Sequence, residues 1–153
     1  MSRVVVNEIE AKVGNDISFN DTVKIDTIKG KTTAGSVTVQ GEGSSTTNLQ
    51  QGLCKSWVNF DGSESPLTNR DSFNVSSLVD NGTGNYDQVY TNNMSSANYS
   101  VTGTGADNIP IASNRDRNFE MAAESTSQSN LNFFMEGQKD MNHVYGQIFG
   151  DLA

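Results

Sequence analysis

The chain has 153 residues, of which 34% are hydrophobic and 18% charged, with 18 acidic against 10 basic side chains and a formal net charge of −8. Both shares fall below the roughly 45–50% apolar and roughly 25% charged of an ordinary globular domain, while 18 Asn, 18 Ser, 13 Thr and 14 Gly fill more than a third of the sequence. An acidic surface cannot neutralise phosphates, which excludes charge-driven binding to nucleic acid or to an anionic membrane; no run of about 18 apolar residues exists for a membrane span, and polar β structure is what remains.

Residues 1–52 hold short β-prone pieces at Val4–Val6, Ile17–Phe19, Val23–Ile28 and Ser36–Val39, punctuated by Gly14-Asn15-Asp16, Lys29-Gly30 and Gly41–Ser45. Each piece offers two or three apolar side chains. That is too little surface to offset the entropy of ordering it, so residues 1–52 are read as an extended, short-stranded docking or oligomerisation arm that leans on sister chains or a larger assembly. Leu49-Gln50-Gln51-Gly52 fits one helical turn ending on glycine.

Residues 53–153 read as a head. Seven strands are predicted, at Leu53–Phe60, Asp71–Val79, Tyr86–Thr91, Asn98–Gly103, Asn118–Glu124, Leu131–Glu136 and His143–Phe149, separated by turn signals such as Asp61-Gly62, Asn81-Gly82 and Thr104-Gly105. Short strands at this spacing, without competing helical periodicity, predict an all-β fold, an antiparallel sandwich or barrel. The predicted core is Trp57, Phe60, Phe73, Val75, Leu78, Val79, Tyr86, Val89, Tyr90, Tyr99, Val101, Phe119, Met121, Leu131, Phe133, Phe134, Met135, Val144, Ile148 and Phe149. Trp57 points away from the face of Val58 and Phe60, and Leu131–Met135 carries bulk on both faces, so Trp57 and Phe134 are candidate interface aromatics.

Charge separates the two parts. Residues 1–52 hold five basic and six acidic side chains, whereas residues 53–153 hold five and twelve. A nearly neutral arm before an acidic head suits an exposed head on a docking segment.

Little in the chain points to catalysis or to a cofactor. Cys54 alternates with Ser56, Val58 and Phe60 and reads as a small buried residue, with the single His143 about ninety residues away in sequence and no other activating base marked. One Cys and one His give no metal-ligand spacing. Asp80–Asn85 lacks the ligand spacing of a calcium loop and reads as a hairpin turn, and the Gly-x-Gly pairs Gly82/Gly84 and Gly103/Gly105 lack the third glycine and helix of a phosphate cradle. A glycan depolymerase would need two carboxylates about 5–10 Å apart in a groove, and no Asp or Glu pattern marks such a pair. The chain is therefore read as non-enzymatic, with no cofactor and no metal.

The runs Gly52–Gly62, Arg70–Tyr86 and Asn92–Val101, with the lead-in Val23–Gly35 and the closing Gly146–Asp151, resemble a β domain of tail-fibre-like and virion structural proteins of tailed phages of marine bacteria, including cyanobacteria. The resemblance implies a virion surface protein of fibre or knob type, tail-linked and used for host attachment. The alternative it implies is a decoration protein that stabilises the icosahedral shell. Its partners would be other virion proteins (tail or major capsid protein), further copies of itself, and a host-surface glycan or protein. Without a charged-then-apolar leader after Met1, such a protein is expected to be made in the host cytoplasm and to end on the virion surface. The expected contact loop is Asn108–Arg117, with Asn108, Asn114, Arg115, Asp116 and Arg117 as contact residues; the alternative is a plain connection holding an internal Arg–Asp pair.

Overall fold

The computed structural model describes residues 22–30, 37–40, 44–107, 118–134 and 139–152, without the side chains of Asn118 and Phe134. The strand pieces expected at Val4–Val6 and Ile17–Phe19, the loop Asn108–Arg117, and Met135 lie outside the described residues.

The head is all-β, a sandwich of two four-stranded antiparallel sheets. The strands are β3 (Cys54–Phe60), β4 (Asn69–Phe73), β5 (Val75–Asp80), β6 (Asn85–Tyr90), β7 (Ser100–Ala106), β8 (Asn118–Ala123), β9 (Gln128–Phe134) and β10 (His143–Phe149). One sheet runs β4-β3-β10-β7, the other β5-β6-β9-β8. Before them, β1 (Thr38–Gln40) and β2 (Thr46–Asn48) form a small two-stranded ribbon. The single-turn helix α1 (Leu49–Gly52) follows, its first N–H groups capped by the Asn48 side chain. Val23–Ile28, predicted as a strand, joins no ladder among the described residues; Val23, Ile25 and Ile28 are 46%, 58% and 62% exposed.

The main correction concerns Asp71–Val79. It is not one strand but two, β4 and β5, belonging to different sheets and separated by Asn74 alone. Asn74 adopts φ 58, the left-handed region that asparagine tolerates better than most side chains. Its side chain then ties the sheets together: Nδ2 donates to the carbonyls of Lys55 (3.0 Å) and Asn92 (3.1 Å), and Oδ1 accepts from the Asn92 N–H (2.7 Å). Because β4 and β5 are edge strands, Phe73 and Val79, both expected in the core, are 51% and 40% exposed.

The core lies between the sheets. Val58, Phe60, Tyr86, Leu131, Phe133, Met141 and Val144 form its main cluster, and Tyr90, Met94 and Ile148 a second one toward the opposite end. Glycines explain how such large rings fit: Gly103 and Gly105 on β7 and Gly146 on β10 occupy inward positions. A Cβ on Gly105 would lie 3.0 Å from the Phe133 ring, and one on Gly103 2.8 Å from Met121. The Gly-x-Gly pair of β7 is thus a packing device. Between the clusters runs a buried polar relay. Gln88 Nε2 donates to Ser56 Oγ at 2.7 Å, and Ser56 Oγ donates to the Phe73 carbonyl at 3.1 Å, beside the Asn74 corner.

Tyr86 anchors the other end. Its hydroxyl is shared between Asp140 Oδ1 (2.9 Å) and the Gly62 carbonyl (3.0 Å), while the Gly84 N–H donates to the same carboxylate oxygen at 2.8 Å. Burial, followed by the neighbouring Asp140, pushes the phenol well above its ordinary range. Gly84, at φ 70, turns the β5–β6 hairpin where a Cβ would strike the carbonyls of Phe133 and Lys139.

Candidate functional site

The two outer faces of the sandwich are chemically unlike. On the second sheet, the outward side chains of Asn85, Asp87, Gln128 and Asn130 bond to one another, while the outward Asn132 of β9 keeps a buried Oδ1 without a partner. Asn130 Nδ2 donates to Asp87 Oδ1 (2.8 Å) and Asn85 Oδ1 (2.7 Å), and Gln128 Nε2 donates to Asp87 Oδ2 (3.2 Å) and Glu124 Oε2 (2.8 Å). This ladder buries Asp87 to 6% exposure on an otherwise outward position. The Asn85, Gln128 and Asn130 amides are engaged internally.

On the first sheet the register aligns two rows across the outer face. Phe73, Trp57, Gln147 and Thr102 form one, and Asp71, Asn59, Tyr145 and Thr104 the other. Trp57 and Tyr145 are half-buried, while Phe73, Gln147, Thr102 and Thr104 are exposed. Among the described residues, no side-chain hydrogen bond engages Gln147, Thr102, Thr104 or the Tyr145 hydroxyl, and Asn59 Oδ1 is shielded from water without a partner. Three aromatic rings beside available amides and hydroxyls can stack on a flat apolar surface and hydrogen-bond its polar rim.

One end of this face carries a charged cluster. Arg70 Nη2 meets Asp61 Oδ2 at 2.7 Å, and Arg70 Nη1 lies 2.9 Å from His143 Nδ1. Guanidinium cannot accept, so Nδ1 of His143 is the acceptor and its ring carries the proton on Nε2. Burial raises the Asp61 carboxyl. Hydrogen bonds from the Ser63 hydroxyl and N–H and the Arg70 charge outweigh that, holding the group below the ordinary 3.8. A carboxyl depressed in the folded state stabilises above its unfolded value and loses that contribution as pH falls through the folded value. Thermal melts of Asp61→Asn and the unsubstituted chain should therefore differ at pH 6, by about 1 kcal/mol or less because Arg70 is 38% exposed and water screens the pair. The difference should shrink below about pH 4.

The other end opens into a cleft of about 750 Å³, lined among others by Leu53, Cys54, Lys55, Phe73, Asp151 and Leu152. A bulge at Lys55 shifts the register so that Cys54 pairs with Phe149 and leaves the Ser56–Val58–Phe60 face. Cys54 is consequently half-buried rather than buried, its thiol donating to the carbonyls of Ser56 (3.1 Å) and Ile148 (3.4 Å). The buried Lys55 Nζ donates to the carbonyls of Gln50 and Leu53. Gln51 Nε2 donates to Asp151 Oδ2 at 2.8 Å.

Of the residues singled out in the sequence, Trp57 lies on the first sheet's outer face, whereas Phe134 belongs to β9 of the second sheet, so the two do not share a face. The Phe134 side chain and Asn108, Asn114, Arg115, Asp116 and Arg117 lie outside the described residues. Phe73, Tyr145, Gln147 and Thr102 escaped sequence reasoning as site residues, because only the register across β4-β3-β10-β7 brings them to Trp57. Among the described residues no group of three or more His, Cys, Asp or Glu is placed to hold a metal ion, and no helix is long and apolar enough to cross a membrane. Comparison with protein-family models, curated proteins and solved structures finds no match to this chain.

Proposed function

We propose that the chain is a non-enzymatic surface component of a tailed-phage virion, tail-linked, whose sandwich head attaches to a host-surface glycan through the outer face of β4-β3-β10-β7. The observation that carries the attachment reading is the contrast between the two outer faces: one ties Asn85, Asp87, Gln128 and Asn130 into an internal ladder, while the other leaves the exposed Gln147, Thr102 and Thr104 available beside Trp57, Phe73 and Tyr145. Aromatic faces cover the C–H surface of a sugar ring, and neighbouring amides and hydroxyls bond its hydroxyl groups. The link to a virion rests on the sequence resemblance, supported by an acidic head that resists sticking to its own copies.

Pre-incubating host cells with purified protein should reduce phage adsorption. Trp57→Ala should weaken that competition about tenfold, the effect of about 1.4 kcal/mol of lost contact. Trp57 is half-buried on the outer face, so the head should still fold. Unaltered adsorption at saturating protein would count decisively against attachment.

A second reading, decoration of the icosahedral shell, is favoured by the exposed apolar side chains Val23, Ile25, Ile28 and Val39 ahead of the head, which suit a segment lying along capsid subunits. Quantitative mass spectrometry of intact particles separates the two. A few to a few dozen copies places the chain on the tail, and on the order of a hundred or more on the shell.

A further inference from the structure

Resting on that attachment reading, we infer that the outer face of β4-β3-β10-β7 takes an uncharged glycan, about three sugar rings long, laid across the strands rather than along them. Charge selects the class of ligand. Among the described residues of the head the cations are Lys55, Arg70 and Lys139, and each is already engaged: Lys55 by the carbonyls of Gln50 and Leu53, Arg70 by Asp61 and His143, and Lys139 by Asp107. Asp71 lies in one of the two outward rows and Asp61 closes one end of the face, so fixed negative charge borders the site without a cation set aside against it. A carboxylated or sulfated sugar would have to approach these carboxylates and displace Asp61 from Arg70 to gain a counter-charge. A neutral sugar needs only ring faces and hydroxyl partners, which Trp57, Phe73, Tyr145, Gln147, Thr102 and Thr104 supply.

The register sets direction and length. Neighbouring strands lie ~4.8 Å apart, and successive outward residues of one strand ~6.7 Å; the first step is close to the length of a pyranose ring with its bridging oxygen, and the second is not. Across the strands Phe73 and Trp57 are direct partners, and Tyr145 lies one strand further on, diagonal to Trp57 and within reach of it. Gln147, the partner of Trp57, and Thr102 and Thr104 on edge strand β7 complete the strip with exposed hydrogen-bonding groups. From β4 to β7 the strip spans three strand steps, about 14 Å, which seats about three rings. Along β3 the aromatic surface stops at Trp57, because the next outward residue is Asn59 and beyond it comes the Asp61 cluster.

Oligosaccharides cut from the host-surface polysaccharide, sorted by length and separated on an anion exchanger into neutral and acidic pools, test this with Trp57, the single tryptophan of the chain, as reporter. The neutral pool should shift Trp57 emission, with affinity rising up to about three units and then levelling, and the acidic pool should bind at least about tenfold more weakly. Gln147→Ala should weaken neutral binding about five- to tenfold, and Phe73→Ala should bring the plateau down by about one unit; both side chains are exposed, so the melting of the head should hardly change. Equal or tighter binding of the acidic pool overturns the inference, as does an affinity that is complete with a single ring or keeps climbing well past three. If neither pool binds while the purified protein still blocks phage adsorption, the inference falls and attachment through another ligand stands. If adsorption is not blocked either, the attachment reading falls with it.

Discussion

Phe133→Ala is expected to lower the free energy of unfolding by about 3–5 kcal/mol, the cost of removing a fully buried ring and leaving a cavity that its neighbours fill only in part. The ring is 0% exposed and packs edge-on against Phe119 at 5.3 Å and obliquely against Tyr86 at 6.1 Å, with Gly105 opposite. Collapse into the gap is restricted because Tyr86 is held by Asp140 and Gly62 and because Gly105 has no side chain to move in. Phe73→Ala provides the comparison: its ring is 51% exposed, and the change should cost less than about 1 kcal/mol. Urea unfolding followed by Trp57 fluorescence measures both. A Phe133→Ala protein as stable as the Phe73→Ala protein would mean that the two sheets do not pack through this ring.

Asn74→Ala should cost about 2–4 kcal/mol, large for a residue in a connection between strands. It deletes the hydrogen bonds to the Lys55 and Asn92 carbonyls and to the Asn92 N–H, and it places a side chain with no local hydrogen bond at φ 58. Asn74→Gly removes the same bonds but relieves the backbone, so it should recover about 1 kcal/mol of the loss. If the glycine variant were no better than the alanine variant, the hydrogen bonds alone would account for the corner. If it matched the unsubstituted protein, the backbone alone would.

The existence and order of most head strands were legible because their signals are local. His143–Phe149 alternates Val144, Gly146 and Ile148 inward, and β10 has those bounds. The Asn81–Asn85 turn is marked by two glycines, and both take positive φ. Asp71–Val79 was misread because no glycine or proline interrupts it, and the break depends on Asn74 finding partners at Lys55 and Asn92, eighteen or nineteen residues away. Met94 and Met141, 1% and 0% exposed, reach the core from outside regular strands, where no periodicity points to them. The candidate face was the least legible feature. Trp57 is recognisable as an outward aromatic, but its neighbours Phe73 and Gln147 depend on pairings that skip sixteen and ninety residues of sequence. The bulge at Lys55 reverses the expected side of Cys54 in the same way, since alternation cannot count an extra residue that only the partner strand defines.

The position of β10, between β3 and β7, bears on how the protein is made. During synthesis β3 and β7 have no common neighbour until β10 emerges, so Val58 and Phe60 wait for their partners Gly146 and Val144 while roughly eighty further residues are translated, several seconds or more at ~5–20 residues per second. Apolar strands left unpaired for such an interval are prone to aggregate. A chain so rich in Asn, Ser and Thr exposes less apolar surface on its unfinished strands, so the same composition that coats the finished surface lowers that hazard during synthesis.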